Sequence, residues 1–131
     1  MALPEAAVGL LPCAGGTQNL AWLVGEGWAK RMILCGERMH AQQAFDIGLI
    51  EIVVEPGQAL AQALHWAQKS ERQSPTSIAA CKRLIQNACT QPMFLGMRHE
   101  RDEFVSLFSS NDQKEGVQVF LEKRTPQWTN S

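Results

Sequence analysis

Glu5 is the only charged residue among the first 25 positions, and its neighbours are Leu3, Ala6, Ala7 and Val8. A carboxyl desolvated in such company holds its proton nearer neutral pH, which suits proton exchange with a substrate. The surrounding stretch, Met1 to Gly16, is rich in turn residues, so its backbone can line a cleft. The alternative is an exposed glutamate with no role. The second feature is Pro12-Cys13-Ala14-Gly15-Gly16-Thr17-Gln18, a glycine-rich turn that runs into a helix. A helix start of this kind can hold an anion with its free N–H groups. The turn lacks the Gly-Lys-Ser/Thr of a phosphate loop and the spacing of a dinucleotide fingerprint, so close packing against a neighbouring element is the other reading.

Other chemistry is poorly represented. His40, His65 and His99 fall on separate elements without ligand spacing, and no metal site is expected. Gly-x-Ser-x-Gly is absent. Lys82-Arg83 and Lys123-Arg124 are short basic pairs, each a solvated helix face or a contact for one phosphate. The four cysteines, Cys13, Cys35, Cys81 and Cys89, form no Cys-x-x-Cys pair and read as buried or half-buried free thiols of a cytoplasmic protein.

The elements that must position these residues follow from pattern and length. With 131 residues, 45% hydrophobic, the chain is long enough to bury a core. Twelve Lys+Arg against 13 Asp+Glu exclude a nucleic-acid binder held by bulk charge, and no apolar run is long enough for a membrane span. Thr17 is a candidate cap for a helix broken near Gly25 and Gly27, and a second helix follows from Trp28 to Leu34. Ala41 to Ile47 is a short helix closed by Gly48. Leu49 to Glu55, β-branched and ended by Pro56-Gly57, predicts a strand. The rest is helical. Leu60, Ala63, Leu64 and Ala67 form a stripe, and Ser74-Pro75 opens the next helix. Phe94, Met97, Phe104 and Phe108 mark a third, and Asp112 with Glu115 resembles a capping box for the last.

Taken in order, these residues resemble the C-terminal half of the crotonase superfamily, the enoyl-CoA hydratase/isomerase family. The similarity runs through Leu3-Pro4-Glu5, Val8-Gly9-Leu10, Pro12, Ala14-Gly15-Gly16-Thr17-Gln18 and Leu23-Val24-Gly25. It continues through Gly48-Leu49-Ile50 and Val53-Val54, and ends in Asp112, Glu115-Gly116 and Phe120-Leu121-Glu122-Lys123-Arg124. The resemblance implies an α/β crotonase-like (ClpP/crotonase spiral) fragment, mostly helical with few short strands. Residues 1–57 would end the spiral core, and 58–131 would form the helical C-terminal trimerisation region.

It also implies chemistry. Members bind acyl-CoA thioesters, with coenzyme A arriving as part of the substrate and no separate cofactor. Two backbone N–H groups stabilise an enolate-like thioester oxygen. In the hydratases one glutamate helps to activate water and a second exchanges the α-carbon proton; Glu5 matches the second. Val8, Pro12, Gly15 and Gly16 would line the acyl pocket. Phe120 and Lys123 would reach coenzyme A on a neighbouring subunit of a trimer or dimer of trimers; otherwise they are a core phenylalanine and a solvated lysine. Cys13, Asn19 and Ala21-Trp22 depart from the family pattern and alter the charge near that pocket. The family's first glutamate and both oxyanion-hole segments precede the Pro-Glu motif by many residues, so this chain reads as catalytically incomplete. The competing reading is a non-enzymatic helical oligomerisation module derived from the same family.

Overall fold

A computed structural model describes residues 1–131 as two compact units, Met1–Gly57 and Gln58–Ser131. The first unit opens with a 3₁₀ turn, Glu5–Val8, and then helix α1, Gly16–Leu34, and the short α2, Ala41–Asp46. Its core is Leu20, Ala29, Met32, Met39 and Ala44, with Leu3, Trp28, Ile47 and Leu49 packed around them. Met1 and Met39 exchange two main-chain bonds, amino nitrogen to Met39 O at 2.7 Å and Met39 N–H to Met1 O at 2.9 Å. This exchange ties the segment carrying Glu5 to the α1–α2 core.

Two details of α1 differ from expectation. Its N-terminal cap is Gly15, in the left-handed region at φ 80°, whereas the Thr17 hydroxyl accepts from Gln18 Nε2 instead. Its interruption falls at Gly25 alone, at φ 78° and ψ 163°, and Gly27 stays inside regular helix. Only glycine adopts that backbone without strain. Nothing lies within 4 Å of where a Cβ would point, so the penalty for a side chain is purely conformational. Gly25→Ala is therefore expected to cost about 1–3 kcal/mol, read as a lower urea midpoint. Gly27→Ala, in helical backbone, should instead gain roughly 0.5–1 kcal/mol; equal effects at both sites would contradict the kink.

The expected strand is absent. Leu49 and Ile50 turn back to close α2, their N–H groups donating to Ala44 O at 2.8 and 3.4 Å, and the segment to Glu55 forms no ladder. A strand exists only with a partner to bond, and none of these residues supplies one.

The second unit consists of α3 (Ala59–Glu71), α4 (Pro75–Ala88), α5 (Met93–Leu107) and α6 (Asn111–Glu122). Helix α4 starts as its sequence dictates. Ser74 Oγ accepts the Ser77 N–H, and Pro75 occupies a first-turn position where a missing N–H costs nothing. Arg83 of α4 grips the Glu103 carboxylate of α5 through Nε and Nη2, the closer contacts at 2.9 Å. Little else is buried: Ala80 and Asp112 are the fully buried residues of this unit. The apolar stripe of α3 lies open, with Leu60 71% exposed, and so do Phe94, Met97, Phe104 and Phe108 of α5. All four cysteines are free and exposed, which corrects the expectation of buried thiols: their faces are the ones this chain leaves uncovered. No helix is long and apolar enough to cross a membrane.

Candidate functional site

Pro4 leads into the 3₁₀ turn that presents Glu5. The Ala7 N–H donates to Pro4 O at 3.0 Å, and Leu10 N–H to Glu5 O at 3.1 Å. Gly9 closes the turn in the left-handed region at φ 75°, a conformation that would strain any side chain. These bonds fix the backbone of Glu5 while leaving its side chain free of local partners. Its Oε2 is buried and has no hydrogen-bond donor. A buried acceptor without a donor is costly, and such groups concentrate where a ligand or a proton completes them.

The glycine loop follows. Pro12 is buried, while Val8 and Gly15 are exposed. Ala14 and Gly15 both take left-handed backbone, φ 53° and 80°, and Gly16 N–H donates to Cys13 O at 3.0 Å. A Cβ on Gly16 would stand 2.9 Å from the Pro12 Cβ, so the second glycine is required for close approach to the proline. That contact favours the packing reading of the Gly-Gly pair. Glu5, Val8, Pro12, Gly15 and Gly16 thus all belong to the first unit, along one continuous stretch of chain.

Phe120 and Lys123 belong to the second unit, at the end of α6. Phe120 is 83% exposed, so it is no core residue of this chain. Lys123 is exposed in left-handed backbone, φ 54°, and stops the helix by giving its N–H to Val119 O. Helix α6 does not begin with the expected capping box: Ser110 is its cap, accepting Gln113 N–H at 3.0 Å. Asp112 is buried instead, and Glu115 turns to the tail. The Glu115 carboxylate accepts from Arg124 Nη1 and Nη2, at 2.7 and 2.8 Å, and from the Gln127 N–H at 2.7 Å. Sequence reasoning missed this arrangement because its donors come from a polar tail with no periodic signal.

The arrangement has an electrostatic consequence. The Arg124 hydrogen bonds, then that of the Gln127 N–H, lower the Glu115 pKa from 4.5 to about 2 against opposing burial and the Asp112 charge. Because the folded value lies below the ordinary one, this contribution to stability is complete above pH 4.5 and fades as pH falls towards about 2. The Gln127 amide resonance should accordingly shift only as pH falls towards about 2 and stay fixed between roughly pH 5 and 8. Movement of the amide near neutrality would contradict the assignment.

No three His, Cys, Asp or Glu side chains assemble into a group that could hold a metal. The profile of the enoyl-CoA hydratase/isomerase family matches residues 1–131. The chain belongs to that family. It is 40% identical over 124 residues to the 2,3-dehydroadipyl-CoA hydratase of Escherichia coli, covering 95% of this chain and 49% of that protein. A Dictyostelium discoideum protein described as "probable enoyl-CoA hydratase, mitochondrial" is 36% identical over 127 residues, covering 97% of this chain and 46% of that protein. Among solved structures, Pseudomonas aeruginosa DspI superposes at a TM-score of 0.94 with 59% identity, covering 98% of this chain and 49% of that one. The chain spans about half the length of the relatives it matches. Its architecture is therefore that of a crotonase-fold half, here wholly helical rather than helical with a few strands.

Proposed function

We propose that this chain supplies the proton-exchanging glutamate and part of the acyl pocket of an enoyl-CoA hydratase/isomerase-type subunit, acting on a 2-enoyl-CoA thioester. One observation carries this reading: the Glu5 Oε2, buried without a donor in a rigid turn. In hydration, the water oxygen bonds to C3 while its proton passes to the first glutamate of the upstream half, the C2=C3 π electrons move into the thioester enolate, and the protonated Glu5 gives its proton to C2. In the reverse direction the Glu5 carboxylate removes that proton. Isomerisation uses the same proton exchange and returns the proton at a different carbon. The exposed Val8 and the Pro12–Gly16 loop border the acyl chain, and Phe120 and Lys123 offer an apolar face and a point charge to the coenzyme A of a neighbouring subunit. Four free cysteines suit a reducing compartment, the cytoplasm.

The test uses a subunit completed by the upstream half of the family fold, incubated with 3-hydroxybutyryl-CoA in D₂O. Deuterium should enter C2 with the native chain and not with Glu5→Gln. Equal incorporation in both would remove Glu5 from the reaction.

A second reading, a non-enzymatic helical oligomerisation module, has its own observation. Phe94, Met97, Phe104 and Phe108 of α5 and Val117, Phe120 and Leu121 of α6 are all exposed. Apolar surface on this scale marks an interface, and in this family a homo-oligomer is the natural occupant. Light scattering decides: a clean monomer on dilution counts against it.

A further inference from the structure

The helical unit holds one fully buried charge, and the chemistry above does not use it. Asp112 is 1% exposed. Its Oδ2 accepts from Ser74 Oγ at 3.0 Å and Thr76 Oγ1 at 3.2 Å. Its Oδ1 accepts the N–H groups of Thr129 and Asn130 at 2.9 and 3.1 Å, and the Thr129 hydroxyl at 3.3 Å. The N–H groups of Asn111 and Asp112 themselves donate to Ser131 O, at 2.7 and 3.1 Å. One carboxylate therefore joins the cap of α4, the first turn of α6 and the tail at 129–131.

Only an acceptor without hydrogens satisfies every one of these donors at once. An asparagine of the same shape would turn two N–H groups towards one set of them. Burial opposes ionisation of Asp112, but the bonds from Thr129, Ser74, Thr76 and Asn130 outweigh it and hold the carboxyl below its ordinary value. The charge is present whenever the unit is folded near neutral pH.

What the tie controls lies further along the same helix. Phe120 stands about 12 Å up the axis from Asp112, at 1.5 Å per residue. A rotation of roughly 10° about that axis displaces a side-chain tip by about 1 Å, since tips lie about 6 Å from the axis. A gap of about 0.5–1 Å already forfeits roughly a quarter to a half of a van der Waals contact. We propose that Asp112 is the positioning residue of the coenzyme A contact, fixing the rotation and height of α6 so that Phe120 and Lys123 stand where the ligand meets them. This inference rests on the reading that those two residues touch coenzyme A.

The experiment is a double-mutant cycle in the completed subunit, followed by KM and kcat for crotonyl-CoA. Asp112→Asn should raise KM by about 10-fold or more with kcat changed less than about twofold, the signature of lost ground-state binding. On a Lys123→Ala, Phe120→Ala background the same change should add less than about twofold, because Asp112 then has nothing left to position. Additive effects, or an unchanged KM in Asp112→Asn, would overturn the proposal. Thr76→Ala removes one donor and keeps the charge, so it remains measurable if Asp112→Asn does not fold; it should raise KM by a smaller factor, and an unchanged KM there also counts against the tie. The failure of the underlying reading looks different: Lys123→Ala, Phe120→Ala would itself leave KM untouched, and the inference would fall with it.

Discussion

In a completed subunit, replacing Glu5 by Gln should lower the hydration rate of crotonyl-CoA by roughly 10²–10⁴-fold, the range for a positioned general acid/base, with KM nearly unchanged. The amide keeps the shape and one acceptor of the carboxyl but can neither give nor take the α-carbon proton. Geometry makes the split between kcat and KM the informative result. The backbone of Glu5 is held by the bonds of Ala7 to Pro4 and of Leu10 to its own carbonyl, so substitution leaves the turn and the pocket lining in place. Glu5→Asp is the sharper control. It retains the acid but withdraws it by one methylene, and should lose on the order of 10²-fold from misplacement alone. Steady-state kinetics in a completed subunit measure both. A Gln variant within a factor of two of the parent would show that the buried oxygen serves structure rather than proton transfer.

Local chemistry made some turn and cap signals readable in advance, because each depends on residues a few positions apart, although Gly15 rather than Thr17 caps α1 and Ser110 caps α6. Ser74-Pro75 opens α4 as written, and the break at Gly25 follows from a residue without a Cβ. Long-range satisfaction was not readable. Leu49 to Glu55 has the composition of a strand, but composition says nothing about whether a neighbour exists to bond it. Asp112 has the spacing of a capping residue, yet its donors come from Ser74 and Thr76 far before it and from Thr129 and Asn130 well after it. Exposure was the other failure. The stripe of Leu60, Ala63, Leu64 and Ala67 correctly marks one helix face, but periodicity cannot say whether the covering surface belongs to the same chain. Burial was likewise expected for Cys81 and Cys89, which are exposed.

For the candidate site, Glu5 stands out in the sequence because a single charge in an apolar stretch is conspicuous, and its buried Oε2 has no hydrogen-bond donor. The Pro12–Gly16 loop was legible only as an ambiguity, between anion binding and packing. The 2.9 Å approach of a Gly16 Cβ to Pro12 favours packing. The second glycine of the loop therefore shapes the start of α1, and a larger residue there would push the loop outward.

The 131-residue chain on its own should hydrate crotonyl-CoA far more slowly than a completed subunit. Each absent oxyanion-hole donor removes about 10²–10³-fold. The family resemblance places both donors ahead of the Pro-Glu motif, outside the residues present here. The Gly16 N–H of the glycine loop does not replace them, because it is already given to Cys13 O. Without donors preorganised around the thioester oxygen, the negative charge of the enolate has no partner, and an intact Glu5 cannot compensate. A proton donor lowers the barrier only once the carbanion it neutralises can form. Supplying the upstream half of the fold, as a fusion or a separate polypeptide, should restore turnover and make it depend on Glu5. Turnover by the 131-residue chain alone within the common kcat/KM range of about 10⁴–10⁸ M⁻¹s⁻¹, abolished by Glu5→Gln, would mean that the oxyanion is stabilised from within these two units.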